Sequence, residues 1–178
     1  WQTGRGEYLV GFDVDRPKTL WESRYDWPWQ PGGNYPGPYA SPTWDRGKVY
    51  YSSPTGLVGW MVARTGAAVW SVNVREQFQG KGYGWGYGIT PLVEDGRVIL
   101  PVGGPNASLV ALDADTGKTT WTAGSDPASY SPAYPILFRN RRCVVAYLQN
   151  ALVIVEAATT VPTSPFACSA NSPARVFL

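Results

Sequence analysis

The sequence predicts an all-β protein, and three observations lead to that prediction. Short apolar or alternating stretches, such as 7–14, 96–102 and 151–157, recur along the chain, and turn residues separate them. Glycine (20), proline (16), tyrosine (11) and tryptophan (9) are plentiful, which favours tight turns and aromatic packing in short strands. No stretch has the apolar spacing that indicates a helix.

The strand-like stretches form a repeat of about 50 residues. Trp70 follows Trp21 by 49 positions and Trp121 follows Trp70 by 51, and each of the three ends a similar stretch. The prolines Pro42 and Pro91, at the start of consecutive units, are also 49 positions apart. A unit of this length with four short strands is typical of a β-propeller, whose blades bury their faces against one another.

Dividing the chain by this repeat predicts a partial β-propeller of four-stranded antiparallel blades, about three to four in number, of which two are complete. The propeller region is 1–158, and we expect an irregular tail over 159–178, where no turn followed by a tryptophan is found. Within the propeller region, the units are a half-blade (5–25), a blade (39–74), a second blade (87–124) and an incomplete blade (132–158).

The unit around "ALDADTGKTTW", residues 111–121, shows how one blade is built. Its four strands are predicted at 89–94, 97–102, 108–114 and 118–122, with Gly96 and Gly117 taking left-handed conformations in the turns. After the second turn the chain enters the outermost strand. We expect the indoles of Trp21, Trp70 and Trp121 to cover the adjacent blade from that position.

The run A-x-D-x-x-T-G-K-x-x-W in residues 111–121 resembles the tryptophan-docking motif of the pyrroloquinoline-quinone-like β-propeller repeat family. Residues 59–70 match its second half, and residues 11–21 keep Asp13 and Trp21 but have Arg16 and Pro17 where threonine and glycine are expected. The resemblance covers about 5–158. It implies blades of four antiparallel strands, with the motif between the third and the fourth.

Composition excludes several classes of function. A formal charge of +2 is too small for the basic surface that binds nucleic acid. No apolar stretch approaches the roughly 20 residues of a membrane span. The chain has no histidine, which removes histidine bases and ligands, and two cysteines, Cys143 and Cys168, are too few for a disulfide framework or a metal cluster.

The stretch 77–91 contains the candidate ligand-binding residues: Lys81, Tyr83, Trp85 and Tyr87, between alternate glycines. Three rings and a cation on one loop could bind a sugar, a quinone or a peptide by stacking. The simpler interpretation is a long connector into the next blade, and the proline-rich stretch 25–42 has the same two interpretations.

Paired aspartates, Asp13 with Asp15 and Asp113 with Asp115, raise the question of calcium. Each pair lies at the end of a strand, where carboxylates commonly accept hydrogen bonds from turn N–H groups, and no loop rich in oxygen ligands follows. We therefore expect a structural role, with no metal and no catalytic residue.

Three functions remain open. The preferred one is a non-catalytic binding or scaffolding module without cofactor, as in family members that keep the fold without the quinone. The second is a fragment of a quinoprotein alcohol or sugar dehydrogenase, which by resemblance would need pyrroloquinoline quinone and calcium; the adjacent cysteines typical of such enzymes do not occur here. The third is a carbohydrate-binding module.

Partners and location follow from these interpretations. We expect a protein or a small polar ligand as partner, and self-association through open blade edges and faces, because an open stack of blades leaves both unpaired. The resemblance alone implies a periplasmic or secreted protein.

Overall fold

A computed structural model describes residues 2–3, 6–26, 39–81, 86–158 and 168–169 of the 178-residue chain. It confirms the all-β prediction. The strands form four separate antiparallel sheets that follow one another along the chain, and within each sheet the spatial order of the strands is their order in the sequence.

The first sheet has three strands, β1 (Gln2–Thr3), β2 (Gly6–Asp13) and β3 (Lys18–Asp26). The second has four, β4 (Thr43–Asp45), β5 (Lys48–Ser52), β6 (Leu57–Val62) and β7 (Ala68–Asn73). The third has β8 (Leu92–Glu94), β9 (Arg97–Gly104), β10 (Ala107–Asp113) and β11 (Thr119–Ala123). The fourth, called the last sheet below, has β12 (Tyr134–Phe138), β13 (Arg141–Tyr147), β14 (Ala151–Glu156) and β15 (Cys168–Ser169).

The same hairpin turn joins the first two strands of each four-stranded sheet. In the third sheet its central residues, Asp95 and Gly96, have φ angles of 48° and 70°. Two consecutive residues with positive φ make the tight turn whose twist matches that of the flanking strands. The prediction that Gly96 and Gly117 adopt left-handed conformations is confirmed, since φ of Gly117 is 71°.

The third sheet is buried on both faces, and its sequence explains why. Val98 and Leu100 of β9 pack in a cluster with the second sheet, whereas Ile99 between them packs in a cluster with the last sheet. Alternate residues of a strand point to opposite faces, so a strand covered on both sides is apolar at every position. The hydrophobic core therefore lies in layers between consecutive sheets.

Three features differ from the sequence prediction. A single-turn helix, α1 (Val74–Gln77), follows β7, where no helix is predicted; the Asn73 side chain accepts a hydrogen bond from the Glu76 N–H and caps it. The first sheet has a third strand, β1, before the predicted half-blade. The stretch 159–178, predicted to be irregular, contains β15, which pairs with β14 and completes the last sheet.

Candidate functional site

Three tryptophans occupy equivalent positions in three consecutive sheets. The contact between two consecutive sheets is called a seam, and these residues are called the seam tryptophans: Trp21, Trp70 and Trp121. Each lies in the outermost strand, opposite Gly11, Trp60 and Ala111 respectively, and in all three sheets the register shifts at the next residue through a bulge. A bulge increases the local twist of a strand and re-aims its side chains. The repeat seen in the sequence is therefore also a repeat of local geometry.

Two of these indoles donate hydrogen bonds to the next sheet. Trp21 Nε1 lies 2.9 Å from the carbonyl oxygen of Ala63, and Trp70 Nε1 lies 3.2 Å from that of Ala114. Trp121 is 7 % exposed and packs in the apolar cluster that joins the third and last sheets. Its Nε1 has no acceptor among the residues that the structure describes.

In the second and third sheets, the turn glycine lies against the indole of the preceding sheet. A Cβ on Gly66 would lie 2.4 Å from Cε3 of Trp21, and a Cβ on Gly117 would lie 2.8 Å from Cε3 of Trp70. Both glycines also have positive φ, 69° and 71°. The glycine of the motif is thus required for two reasons. The turn needs a residue with positive φ, and the tryptophan ring of the preceding sheet leaves no room for a side chain.

Charged contacts cross the same seams. Lys48, the first residue of β5, forms an ion pair with Asp115 in the turn of the third sheet, and its ammonium group lies 5.2 Å from the Trp60 ring centroid. Arg97, the first residue of β9, donates to the carbonyl oxygen of Ala158, 3.4 Å away. A basic residue at the start of the second strand therefore contacts the turn between the third and fourth strands of the following sheet.

The first sheet has an outer face, directed away from the second sheet, that is rich in exposed apolar side chains. Phe12, Val14 and Leu20 are 54 %, 80 % and 58 % exposed. In the repeat, Val14 corresponds to Ala63 of the second sheet and Ala114 of the third. The carbonyl oxygens of both alanines accept a hydrogen bond from the tryptophan of the preceding sheet. This face has no sheet against it among the described residues.

The last sheet has a corresponding outer face, directed away from the third sheet. Tyr134, Tyr147 and Leu152 lie on it, and they are 66 %, 64 % and 39 % exposed. Alternation along β13 and β14 places Val144 and Val153 on the opposite, buried face, which packs against the third sheet. Contiguous exposed apolar side chains of this kind mark interaction surfaces more often than inert surface.

The predicted ligand-binding residues are not brought together in the described part of the chain. Lys81 is exposed. Tyr87 is 4 % exposed and its hydroxyl donates to the carbonyl oxygen of Val102, 3.0 Å away, so its ring belongs to the core. Tyr83 and Trp85 lie outside the described residues, and ligand binding by this loop stays a prediction.

A buried polar cluster that the sequence prediction missed lies where the first and second sheets meet. It consists of Glu7, Tyr25, Asp26, Tyr51 and Thr55, called the Glu7 cluster. The Tyr25 and Tyr51 rings have centroids 4.8 Å apart. Thr55 donates from Oγ1 to the Asp26 carboxylate over 2.5 Å. Glu7 is fully buried, and its carboxylate oxygens accept no hydrogen bond of good geometry within the described residues, although the Tyr25 hydroxyl lies beside them.

Burial dominates the electrostatics of this cluster. The pKa of Glu7 is raised to about 7, chiefly by burial; the Tyr25 hydroxyl opposes this rise and the nearby Asp26 charge adds to it. Burial also raises the pKa of Tyr51 to about 12 and that of Tyr25 well above its usual range. Glu7 thus keeps its proton to a higher pH than an exposed glutamate does. Its position in an alternating strand gave no signal of this in the sequence.

The paired aspartates have the structural role expected of them. Oδ1 of Asp13 accepts hydrogen bonds from the N–H groups of Asp15 and Arg16, both over 3.1 Å. Oδ1 of Asp113 accepts from the N–H of Thr116 over 2.8 Å and from its hydroxyl over 2.7 Å, and these bonds lower the pKa of Asp113. Within the described ranges, no three acidic, cysteine or histidine side chains lie together as a metal site requires.

None of the helices that the structure describes is long and apolar enough to span a membrane.

Relatives in sequence are quinone-dependent dehydrogenase subunits. Over 81 residues the chain is 37 % identical to the dehydrogenase subunit of alcohol dehydrogenase (quinone) from Komagataeibacter europaeus, and equally to that from Gluconacetobacter polyoxogenes. The match covers 42 % of this chain but 11 % of each relative. The chain therefore matches a small part of the length of these enzymes.

Two solved propeller structures share the fold of this chain. BamB from Moraxella catarrhalis aligns over 90 % of this chain and 49 % of its own, with 18 % identity and a TM-score of 0.59. Quinohemoprotein alcohol dehydrogenase from Comamonas testosteroni aligns over 94 % of this chain and 35 % of its own, with 17 % identity and a TM-score of 0.63. At these identities the likeness shows a shared propeller fold.

The family described as outer membrane protein assembly factor BamB matches residues 5–161, which include every strand from β2 to β14. This match, the repeated seams and the quinoprotein-like neighbours agree on a pyrroloquinoline-quinone-like propeller repeat. The chain is therefore a member of the BamB-like propeller repeat family.

Proposed function

We propose that this chain is a non-catalytic propeller module that binds or scaffolds another protein. The observation that carries the proposal is the outer face of the first sheet, where Phe12, Val14 and Leu20 are all more than half exposed. Burying side chains of this kind against a partner favours a complex, because it removes apolar surface from water. The assembly-factor description of the matching family supports the same function.

The chemistry of the described residues favours binding over quinone-dependent oxidation. Glu7, the buried carboxylate of the Glu7 cluster, has a pKa raised to about 7 by burial, whereas calcium binds through ionised carboxylates together with several further oxygen ligands. Tyr87, the described ring of the candidate loop, is packed in the core and its hydroxyl is bonded. These residues do not fit a quinone with calcium, and we derive no catalytic step from them.

A part of a quinoprotein dehydrogenase is the second candidate, and the 37 % identity to two such subunits favours it. In that case the chain would contribute sheets to a larger enzyme that binds pyrroloquinoline quinone and calcium. A periplasmic or secreted location is proposed under both functions.

Titration with pyrroloquinoline quinone and calcium tests the two functions against each other. The nine tryptophans report binding through fluorescence quenching, and dye-linked oxidation of ethanol and glucose reports turnover. We expect neither saturable quenching nor turnover. Saturable binding with turnover that requires both additives would overturn the non-catalytic proposal. Calcium alone is the control for an effect of the cation on the fold.

A further inference from the structure

We propose that the Glu7 cluster makes the seam between the first and second sheets, called the first seam, dependent on pH. The seam is closed while Glu7 carries its proton, and it opens more often once the carboxylate ionises. This dependence is separate from the proposed binding function, because it concerns a contact inside the fold.

Alternate side chains of β3 form the first seam. Trp21 donates from Nε1 to the carbonyl oxygen of Ala63 over 2.9 Å, and Ser23 donates from Oγ to that of Gly66 over 2.6 Å. Both acceptors lie in the turn region between β6 and β7 of the second sheet, and none of these groups titrates. Two positions further along β3, Tyr25 belongs to the Glu7 cluster. The cluster therefore lies at the opposite end of the same seam.

The Glu7 cluster places two carboxylates at this end of the seam. Glu7 is fully buried, and neither of its oxygens has a well-formed hydrogen bond to a described residue. Asp26 accepts a hydrogen bond from Thr55, in the turn between β5 and β6. A buried carboxylate is more stable when neutral, and ionising it beside a second carboxylate adds like-charge repulsion. The seam therefore packs best when Glu7 is protonated.

The titratable groups around Glu7 come from β3, β5 and the start of the chain. Burial is the main cause of the raised pKa of Glu7; the Tyr25 hydroxyl opposes the rise, the Asp26 charge adds to it and the amino terminus opposes it. Tyr51 of β5, whose ring packs against Tyr25, has its own pKa raised to about 12 by burial. Arg24 is exposed on the other face of β3. The proton exchanged near neutral pH is therefore the one on Glu7.

The other seams have no acid at the position of Glu7. Counted back from the residue opposite each seam tryptophan, Glu7 corresponds to Gly56 in the second sheet and to Ala107 in the third. Neither of these residues can ionise at its side chain. The repeat therefore confines this source of pH dependence to the first seam.

The contact made by Asp26 recurs without the buried acid. Asp126 occupies the position of Asp26 in the third sheet, and its carboxylate accepts hydrogen bonds from the backbone and side-chain N–H groups of Asn150 in the last sheet. A carboxylate after the outermost strand is thus a general way of joining consecutive sheets. Glu7 is the addition that makes the first seam sensitive to protons.

Proton linkage gives the direction of the effect. With the seam open, Glu7 releases its proton near pH 4.5, whereas the closed seam keeps the proton up to about pH 7. The equilibrium constant for opening the seam therefore rises with pH between these two values and levels off above the higher one. We expect an increase of at least about tenfold between pH 5 and pH 8.

Exchange of indole protons with solvent in the full chain tests this inference, because each seam has its own reporter. NMR follows the Nε1–H of Trp21, which is bonded across the first seam, and that of Trp70, which is bonded across the next. Each rate is divided by that of N-acetyltryptophanamide at the same pH. We expect the opening constant at Trp21 to rise and level off as described, while that at Trp70 stays constant.

Three variants assign the effect to Glu7. Glu7→Gln is expected to remove the pH dependence at Trp21. Tyr25→Phe removes the hydroxyl that lowers the pKa of Glu7, so the opening constant levels off at a higher pH. Tyr51→Phe is the matched control: it makes the same change in the adjacent ring, whose hydroxyl is bonded to Ser71, and it leaves the profile in place.

The wild-type profile and the tyrosine pair decide the question even where Glu7→Gln does not fold, and circular dichroism shows which variants are folded. Three results would overturn the inference. The first is an opening constant at Trp21 that changes with pH no more than that at Trp70. The second is a pH dependence that persists in folded Glu7→Gln, and the third is an equal response of the two tyrosine variants.

Discussion

Gly117 lies directly against the indole of Trp70, although the two residues belong to different sheets. A Cβ added to this glycine would lie 2.8 Å from both Cδ2 and Cε3 of the ring. Carbon atoms at that distance overlap, and the ring is held by its hydrogen bond to Ala114. The turn of one sheet and the outermost strand of the preceding sheet therefore form a single packing unit.

Gly117→Ala is expected to destabilise the chain more than Gly96→Ala. Both glycines have left-handed φ angles, 71° and 70°, so each substitution costs roughly 1–2 kcal/mol in backbone strain. Gly96 has nothing within 4 Å of its added Cβ, whereas Gly117 meets the ring and adds about 1–3 kcal/mol of overpacking. Urea unfolding of the two variants measures the difference. Equal losses would show that the ring does not constrain the turn.

Glu7→Gln is expected to remove a dependence of stability on pH. The folded chain keeps the Glu7 proton up to about pH 7, whereas the unfolded chain releases it near 4.5. The stability linked to this group is present below pH 4.5 and is lost as the pH rises through 7, because an ionised carboxylate is then buried. After allowing for solvent screening, the loss is about 1–2 kcal/mol.

The measurement is urea unfolding of the wild type and of Glu7→Gln at pH 5 and pH 8.5. Glu22→Gln is the control, since Glu22 is an exposed carboxylate of β3 in the same sheet. We expect a flatter pH profile for Glu7→Gln alone. A slope that persists in that variant would assign the pH dependence to another group.

Tyr87→Phe and Lys81→Ala separate the structural from the ligand-binding interpretation of the loop. Tyr87→Phe leaves the buried Val102 carbonyl without the hydroxyl that bonds it, which costs about 1–2 kcal/mol. Lys81 is exposed, so Lys81→Ala is expected to change stability by less than about 0.5 kcal/mol. Thermal unfolding measures both. A Tyr87→Phe variant as stable as the wild type would contradict the core role of this ring.

The repeat made most of the fold predictable, because the same contacts are encoded several times. Gly96 and Gly117 could be assigned left-handed turns from their neighbours, and the third and fourth strands of the third sheet fall within a residue or two of their predicted bounds. A seam tryptophan at a constant distance from a turn glycine is a local pattern. Local patterns can be recognised in the sequence without knowledge of the rest of the chain.

The features that were missed depend on contacts between distant segments. β15 has no strand pattern of its own and forms because β14 offers an unpaired edge, with Leu152 opposite Cys168. Helix α1 is a single turn, too short to show helical periodicity. Glu7 has the pattern of an ordinary polar residue in an alternating strand, and its burial beside Tyr25 of β3 depends on how the first two sheets pack.

The direction of the seam contacts also bears on how such a chain can grow. The second and third sheets each carry a tryptophan directed at the sheet that follows and a glycine that contacts the tryptophan of the sheet that precedes, so duplicating such a unit of sequence supplies a donor and a receiver together. An inserted copy finds matching surfaces on both sides without any further change. The first sheet has Pro17 at the position of this glycine, so its turn differs from the indole-receiving turns of the second and third sheets.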